Sequence, residues 1–103
     1  MNDDFKLPEN CADMRDVRAG VDATDRELMD LLERRFGYMR AAARIKPDRA
    51  IVRDEARKRA VIDNARRDAQ DRSLPAEPIA QIWEMLVETS IDYELAEWDR
   101  IRA

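Results

Sequence analysis

The sequence predicts an all-α protein with three helices per chain, the first far longer than the others. Three observations carry this. The 103 residues include only 2 Gly and 4 Pro, so turns are few and elements long; a sandwich or barrel of short strands needs frequent turn residues. Apolar residues recur at steps of three and four, the spacing of one helical face, and strand-like alternation is missing. Hydrophobic residues make up 45% of the chain and charged ones 41%, an amphipathic balance with enough apolar surface for a core. The length fits one domain.

Residues 1–11 read as a flexible N-terminal tail in which Pro8 opposes helix, and residues 12–103 as the helical domain. Asn10 or Asp13 is placed to cap the first helix. That helix is expected from Asp13 to Lys46, where Pro47 forces the preceding residue out of the α region. Its ladder is Val17, Val21, Thr24, Leu28, Leu32, Arg35, Met39, Ala42 and Lys46. Pro47–Arg53 reads as a loop. The second helix is expected from Asp54 to Asp71, with Asp54 and Glu55 favourable at its positive N-terminal end. Ser73–Pro75 reads as a turn. The third helix opens around Pro75 and Pro78, which suit a first turn, and runs to Arg102. Its stripe is Ile79, Ile82, Trp83, Leu86, Val87, Ser90, Ile91, Glu94, Trp98 and Ile101.

A helix of about 34 residues is about 51 Å long. A compact chain of about 100 residues is roughly 34 Å across. The long apolar stripe therefore overshoots what two shorter helices cover, which predicts a homodimer with the long helices packed on each other.

Composition excludes several kinds of chemistry. His is absent, which removes imidazole acid–base catalysis and His metal ligation. The lone Cys11 makes neither an internal disulfide nor a thiolate metal cluster. Net charge is −4 and the isoelectric point about 4.9, against the basic excess that nucleic-acid binding needs. The longest apolar run spans no membrane, and the polar N-terminus does not read as a signal peptide, so a cytoplasmic location is expected.

The polar residues inside the apolar ladders are the informative ones. Arg35 and Lys46 lie about 20° apart around the first helix and about 16.5 Å apart along it. With Ala42 leaving space between them, they form a plausible clamp for a small dianion, although two cations at the edge of a stripe also snorkel to solvent. Ser90 and Glu94 lie one turn apart on the third helix's apolar face. A buried carboxyl needs a cation or a proton, so Glu94 reads either as the partner of a core cation or as a group facing a ligand. Arg18 sits about 25 Å from Arg35 and about 100° off its face. If both bind one small ligand, Arg18 comes from another subunit. The basic run Arg53, Arg57, Lys58 and Arg59 reads as a solvated helix start. Trp83, Trp98, Phe36 and Tyr38 read as core or interface residues.

Several motifs stand in register over three helices: Asp16-Val17-Arg18, Val21-Asp22 with Asp25, Glu33-Arg34-Arg35, and Ala41-Ala42-Ala43-Arg44-Ile45-Lys46, followed by Arg57, Ser90 and position 94. From Cys11 to Arg102 the chain resembles the all-helical chorismate mutases of the AroQ class, and within it the isochorismate pyruvate lyase branch. The resemblance implies an intertwined homodimer with two equivalent sites for a small dicarboxylate, chorismate or isochorismate, and no cofactor or metal. It implies that Arg18 crosses from the partner and clamps a carboxylate together with Arg35. Lys46 would donate to the ligand's ether oxygen, with Glu94 as second donor. Arg57 and Ser90 would contact the ligand, and Asp54 and Lys58 would complete the binding set. Lys46, Glu94 and Arg35 are thus the expected catalytic residues.

The expected activity is the pericyclic conversion of chorismate to prephenate, serving phenylalanine and tyrosine synthesis. The alternative is a lyase forming salicylate and pyruvate from isochorismate. A non-catalytic helical adaptor is the alternative of another class. Two positions depart from the family pattern: Glu94 stands where most bacterial relatives carry Gln, and Lys58 where mutases often carry Glu.

Overall fold

A computed structural model of the chain describes residues 5–103. It is all-helical, with α1 at Met14–Ile45, α2 at Glu55–Asp71 and α3 at Ala76–Ile101. Short 3-10 turns occupy Pro8–Asn10 and Arg49–Ile51. The expected helix limits hold to within about one residue, and the loop before α2 contains a turn that periodicity does not reveal. The chain divides into two units, one ending at Arg35 and the other Phe36–Ala103, so the boundary falls within α1.

In the first unit, Asp13 caps α1 by accepting the Asp16 amide at 2.9 Å. Asp16 reaches back and accepts the Ala12 amide at 3.0 Å. This exchange satisfies two donors that a helix start leaves unpaired. Lys6 adds an ion pair to Asp16 at 3.2 Å. The Ala12 amide first, and Lys6 next, hold the Asp16 carboxyl below its ordinary range. Phe5, Pro8 and Cys11 lie against Val17, Val21 and Thr24 around a cleft of about 350 Å³. The expectation of a flexible tail, as it concerns residues 1–4, lies outside the described residues. Along α1, Val17, Val21 and Leu28 stay 37%, 52% and 51% exposed. The ladder that periodicity marks as apolar is thus largely uncovered in this chain.

The second unit is built on the α2–α3 pair. Asp54 caps α2 by accepting the Arg57 amide at 3.0 Å. The other end of α2 closes on Ser73, whose φ of 58° is left-handed. Leu74 N–H then reaches Ala69 C=O at 2.8 Å and Ser73 N–H reaches Gln70 C=O at 3.1 Å, the two bonds of a Schellman stop. The short turn sends α3 back along α2, and ion pairs fix the antiparallel register: Arg66–Glu77 at 2.8 Å near the turn and Lys58–Glu84 at 2.6 Å near the open end. Between the helices Val87 and Ile91 pack with Val52 from the loop, and Val61, Ile62, Leu95 and Trp98 surround them.

The last residues of α1 join this unit. Phe36 meets Tyr93 edge to face at 4.9 Å, and Arg40 donates to the Tyr93 hydroxyl at 2.8 Å. Arg102 donates to the carbonyls of Ala43 and Lys46, each at 3.0 Å, and Trp98 Nε1 also donates to Lys46 C=O at 3.0 Å. Carbonyls at the C-terminal end of α1 thereby find partners. Among the described residues no helix is long and apolar enough to cross a membrane.

Candidate functional site

Lys46 directly follows α1 and reaches toward α3. Its Nζ stands 2.8 Å from Oε2 of Glu94. The Glu94 side chain is 5% exposed and that of Lys46 28%, so the cation keeps an opening to solvent while the carboxylate does not. The angle of approach lies outside hydrogen-bond geometry, and Glu94 Oε2 accepts no hydrogen bond among the described residues. Lys46 Nζ also donates to the Val52 carbonyl at 3.4 Å. Two residues picked out as polar breaks in separate apolar stripes therefore meet in space. Charge attraction offsets the desolvation of the buried carboxylate; taking away either partner of such a pair is strongly destabilising.

Ser90 is buried one turn before Glu94, and its hydroxyl donates to Leu86 C=O at 2.7 Å. This back-bond along the helix lets a hydroxyl sit on the inner face. Arg57 stands on the first turn of α2, exposed, with no ion pair from its guanidinium among the described residues. Asp54 serves as the α2 cap, which fixes where that turn begins. In the first unit Arg18 is exposed, without an ion pair among the described residues, and Arg35 is half-buried at the unit's end.

Lys58 is drawn onto α3. Its ammonium lies 2.6 Å from Glu84 and 2.7 Å from Glu88. Glu84 first, then Glu88, raise the Lys58 pKa. Glu88 also receives a forked pair from Arg53, at 3.0 Å and 2.8 Å. Arg53 first, then Lys58, hold the Glu88 carboxyl down to about 2. The basic run before and into α2 is thus partly paired with α3 rather than wholly solvated. The sequence carried a signal for this: Glu84 and Glu88 share one face of α3 at a spacing of four, in the stretch that must face the start of α2.

The site therefore offers a half-buried cation against a buried carboxyl, an exposed arginine on a capped helix start, and a ring of ion pairs bracing that start. This arrangement suits binding and polarising an anionic ligand. Residues 17–95 match the family described as Chorismate mutase type II. The isochorismate pyruvate lyase of Pseudomonas aeruginosa is 27% identical over 98 residues, covering 95% of this chain and 97% of that one. The family match takes in most of α1, the loop, α2 and α3 as far as Leu95, including both members of the Lys46–Glu94 pair. With three helices in that order and a match over residues 17–95, the chain belongs to the type II chorismate mutase family.

Proposed function

We propose that the protein converts chorismate to prephenate. The observation that supports this most is the Lys46–Glu94 pair, 2.8 Å apart at the edge of the α2–α3 unit. In the reaction an ether C–O bond breaks while a C–C bond forms, and negative charge grows on the ether oxygen. Lys46 donates to that oxygen as the charge develops. Glu94, once it carries a proton, supplies the second donor, since an ionised carboxylate only accepts. Arg35, Arg57 and Arg18 hold the two carboxylates, for which the planar guanidinium is suited. Ser90, Asp54 and Lys58 complete the surroundings. Such catalysis consists of orientation and electrostatic stabilisation, without a covalent intermediate.

Arg18 reaches the site from a second copy of the chain in this reading. Helix geometry supports it: Arg18 and Arg35 lie about 25 Å and about 100° apart on one helix. The uncovered side chains Val17, Val21 and Leu28 on the same helix supply an apolar surface for the partner.

A second reading, isochorismate pyruvate lyase, is favoured by the Pseudomonas aeruginosa relative, which has that activity and is matched over nearly its whole length. Both reactions break the enolpyruvyl ether, so one set of cations serves either. Paired turnover assays decide. Prephenate from chorismate at an enzyme-like rate is the expected result. Salicylate and pyruvate from isochorismate, with poor prephenate formation, would assign the lyase instead. Turnover of neither substrate would leave a non-catalytic helical protein.

A further inference from the structure

Lys46 has two partners, and the second belongs to the backbone of the loop. The Val52 carbonyl that accepts from Lys46 Nζ at 3.4 Å is half of the peptide whose N–H belongs to Arg53. On one side of that peptide the Val52 side chain is buried against Val87 and Ile91. On the other, the Arg53 guanidinium forks onto Glu88, with distances of 3.0 and 2.8 Å, and also contacts Glu55 at 2.8 Å. Glu88 takes Lys58 as well, at 2.7 Å. One carboxylate on α3 therefore ties down both the end of the loop and the first turns of α2.

We propose that Glu88 is a positioning residue: by holding Arg53 it fixes the Val52–Arg53 peptide, and that peptide steadies the Lys46 ammonium opposite Glu94. The proposal deepens the functional reading above and rests on Lys46 serving the reaction. Glu88 touches no reacting atom in it. The pair is suited to the task because a forked guanidinium–carboxylate contact sets an angle as well as a distance. It also keeps its charges well into acid, since Glu88 is held down to about 2.

The test uses Glu88→Gln, which keeps side-chain size, and Arg53→Gln, which shortens the side chain. Both remove charge from surface groups, so folding is expected to be retained, checked by circular dichroism. Three readouts are taken on the full chain. In NMR, the side-chain carbon next to the Lys46 ammonium is expected to shift in both variants, and amide exchange at Ile51–Arg53 to speed up, although neither substitution touches Lys46. In turnover, kcat is expected to fall about tenfold with KM changed far less, the response to a displaced catalytic group rather than a lost binding contact. The double variant should be no worse than either single one, and Arg53→Lys, which keeps a cation against Glu88, should lose less kcat than Arg53→Gln. An unmoved Lys46 signal with unchanged exchange would overturn the proposal, because burial of Val52 would then suffice. Lys46 displaced in the variants, with a wild type that turns over neither substrate, would refute the functional reading alone. A displaced Lys46 with unchanged kcat in an active enzyme would overturn the positioning role.

Discussion

Glu94 occupies a buried position on α3 that an aliphatic side chain would otherwise fill, and the Lys46 ammonium stands 2.8 Å from it. Its value as a donor depends on a proton, which an amide in the same place does not need. The expected result is a Glu94→Gln variant that keeps or raises the turnover rate, since its amide donates without a proton. A Glu94→Gln rate more than about tenfold below wild type would dismiss the donor role. Gln suits the comparison because it keeps the shape. Removing Lys46 would instead strand a buried carboxylate, a loss on the order of 3 kcal/mol. At this scale the sequence was partly legible. Lys46 and Glu94 stand out as ionisable residues in apolar ladders, and the structure pairs them. Glu88 does not stand out, since a surface glutamate gains meaning only from what faces it. Arg53, Arg57, Lys58 and Arg59 read as one solvated run, yet Arg53 and Lys58 are held by α3.

At the scale of elements, Ser73 ends α2 in a left-handed conformation with φ of 58°. An L-residue there crowds its Cβ against the backbone, which glycine avoids, at a difference of roughly 1 kcal/mol. Ser73→Gly is therefore expected to raise the thermal midpoint by several degrees, measured by circular dichroism, with turnover unchanged. A lowered midpoint would mean that the greater freedom of glycine in the unfolded chain outweighs the relief. Helix limits were legible because Pro47, Asp54 and Pro75 are strong local punctuation. The covering of α1 was not. Periodicity marks which face of a helix is apolar but leaves open what lies against it, and Val21 remains 52% exposed. The 3-10 turn Arg49–Ile51 escaped notice as well, because its cap, Asp48 accepting the Ala50 amide at 2.9 Å, has no periodic pattern.

For the whole molecule, the proposed exchange of Arg18 between copies has a direct test. Arg18→Ala and Lys46→Ala chains are each expected to be almost inactive. Refolded together, a mixed dimer has one site with an intact Arg18 and an intact Lys46, so a clear fraction of wild-type activity should return. Mixtures as inactive as the separate variants would place Arg18 outside the partner's site. Sedimentation of the wild type should show a dimer. The sequence carries this expectation through length alone, since a first helix of about 34 residues overshoots a compact chain of about 100 residues. That Arg18 crosses is an expectation as well, drawn from its angle to Arg35 on an ideal helix and from the family resemblance.

The closing of the α1 end by Arg102 also sets an order of events. The Lys46 carbonyl and the guanidinium that caps it are 56 residues apart in the chain. On a ribosome adding about 5–20 residues each second, α1 waits several seconds for that partner. Until residue 102 has emerged, the last turn before Lys46 lacks its side-chain partners and frays toward water. The lysine of the site is thus made early and steadied late, and a nascent chain carries no finished site while its third helix is still being synthesised.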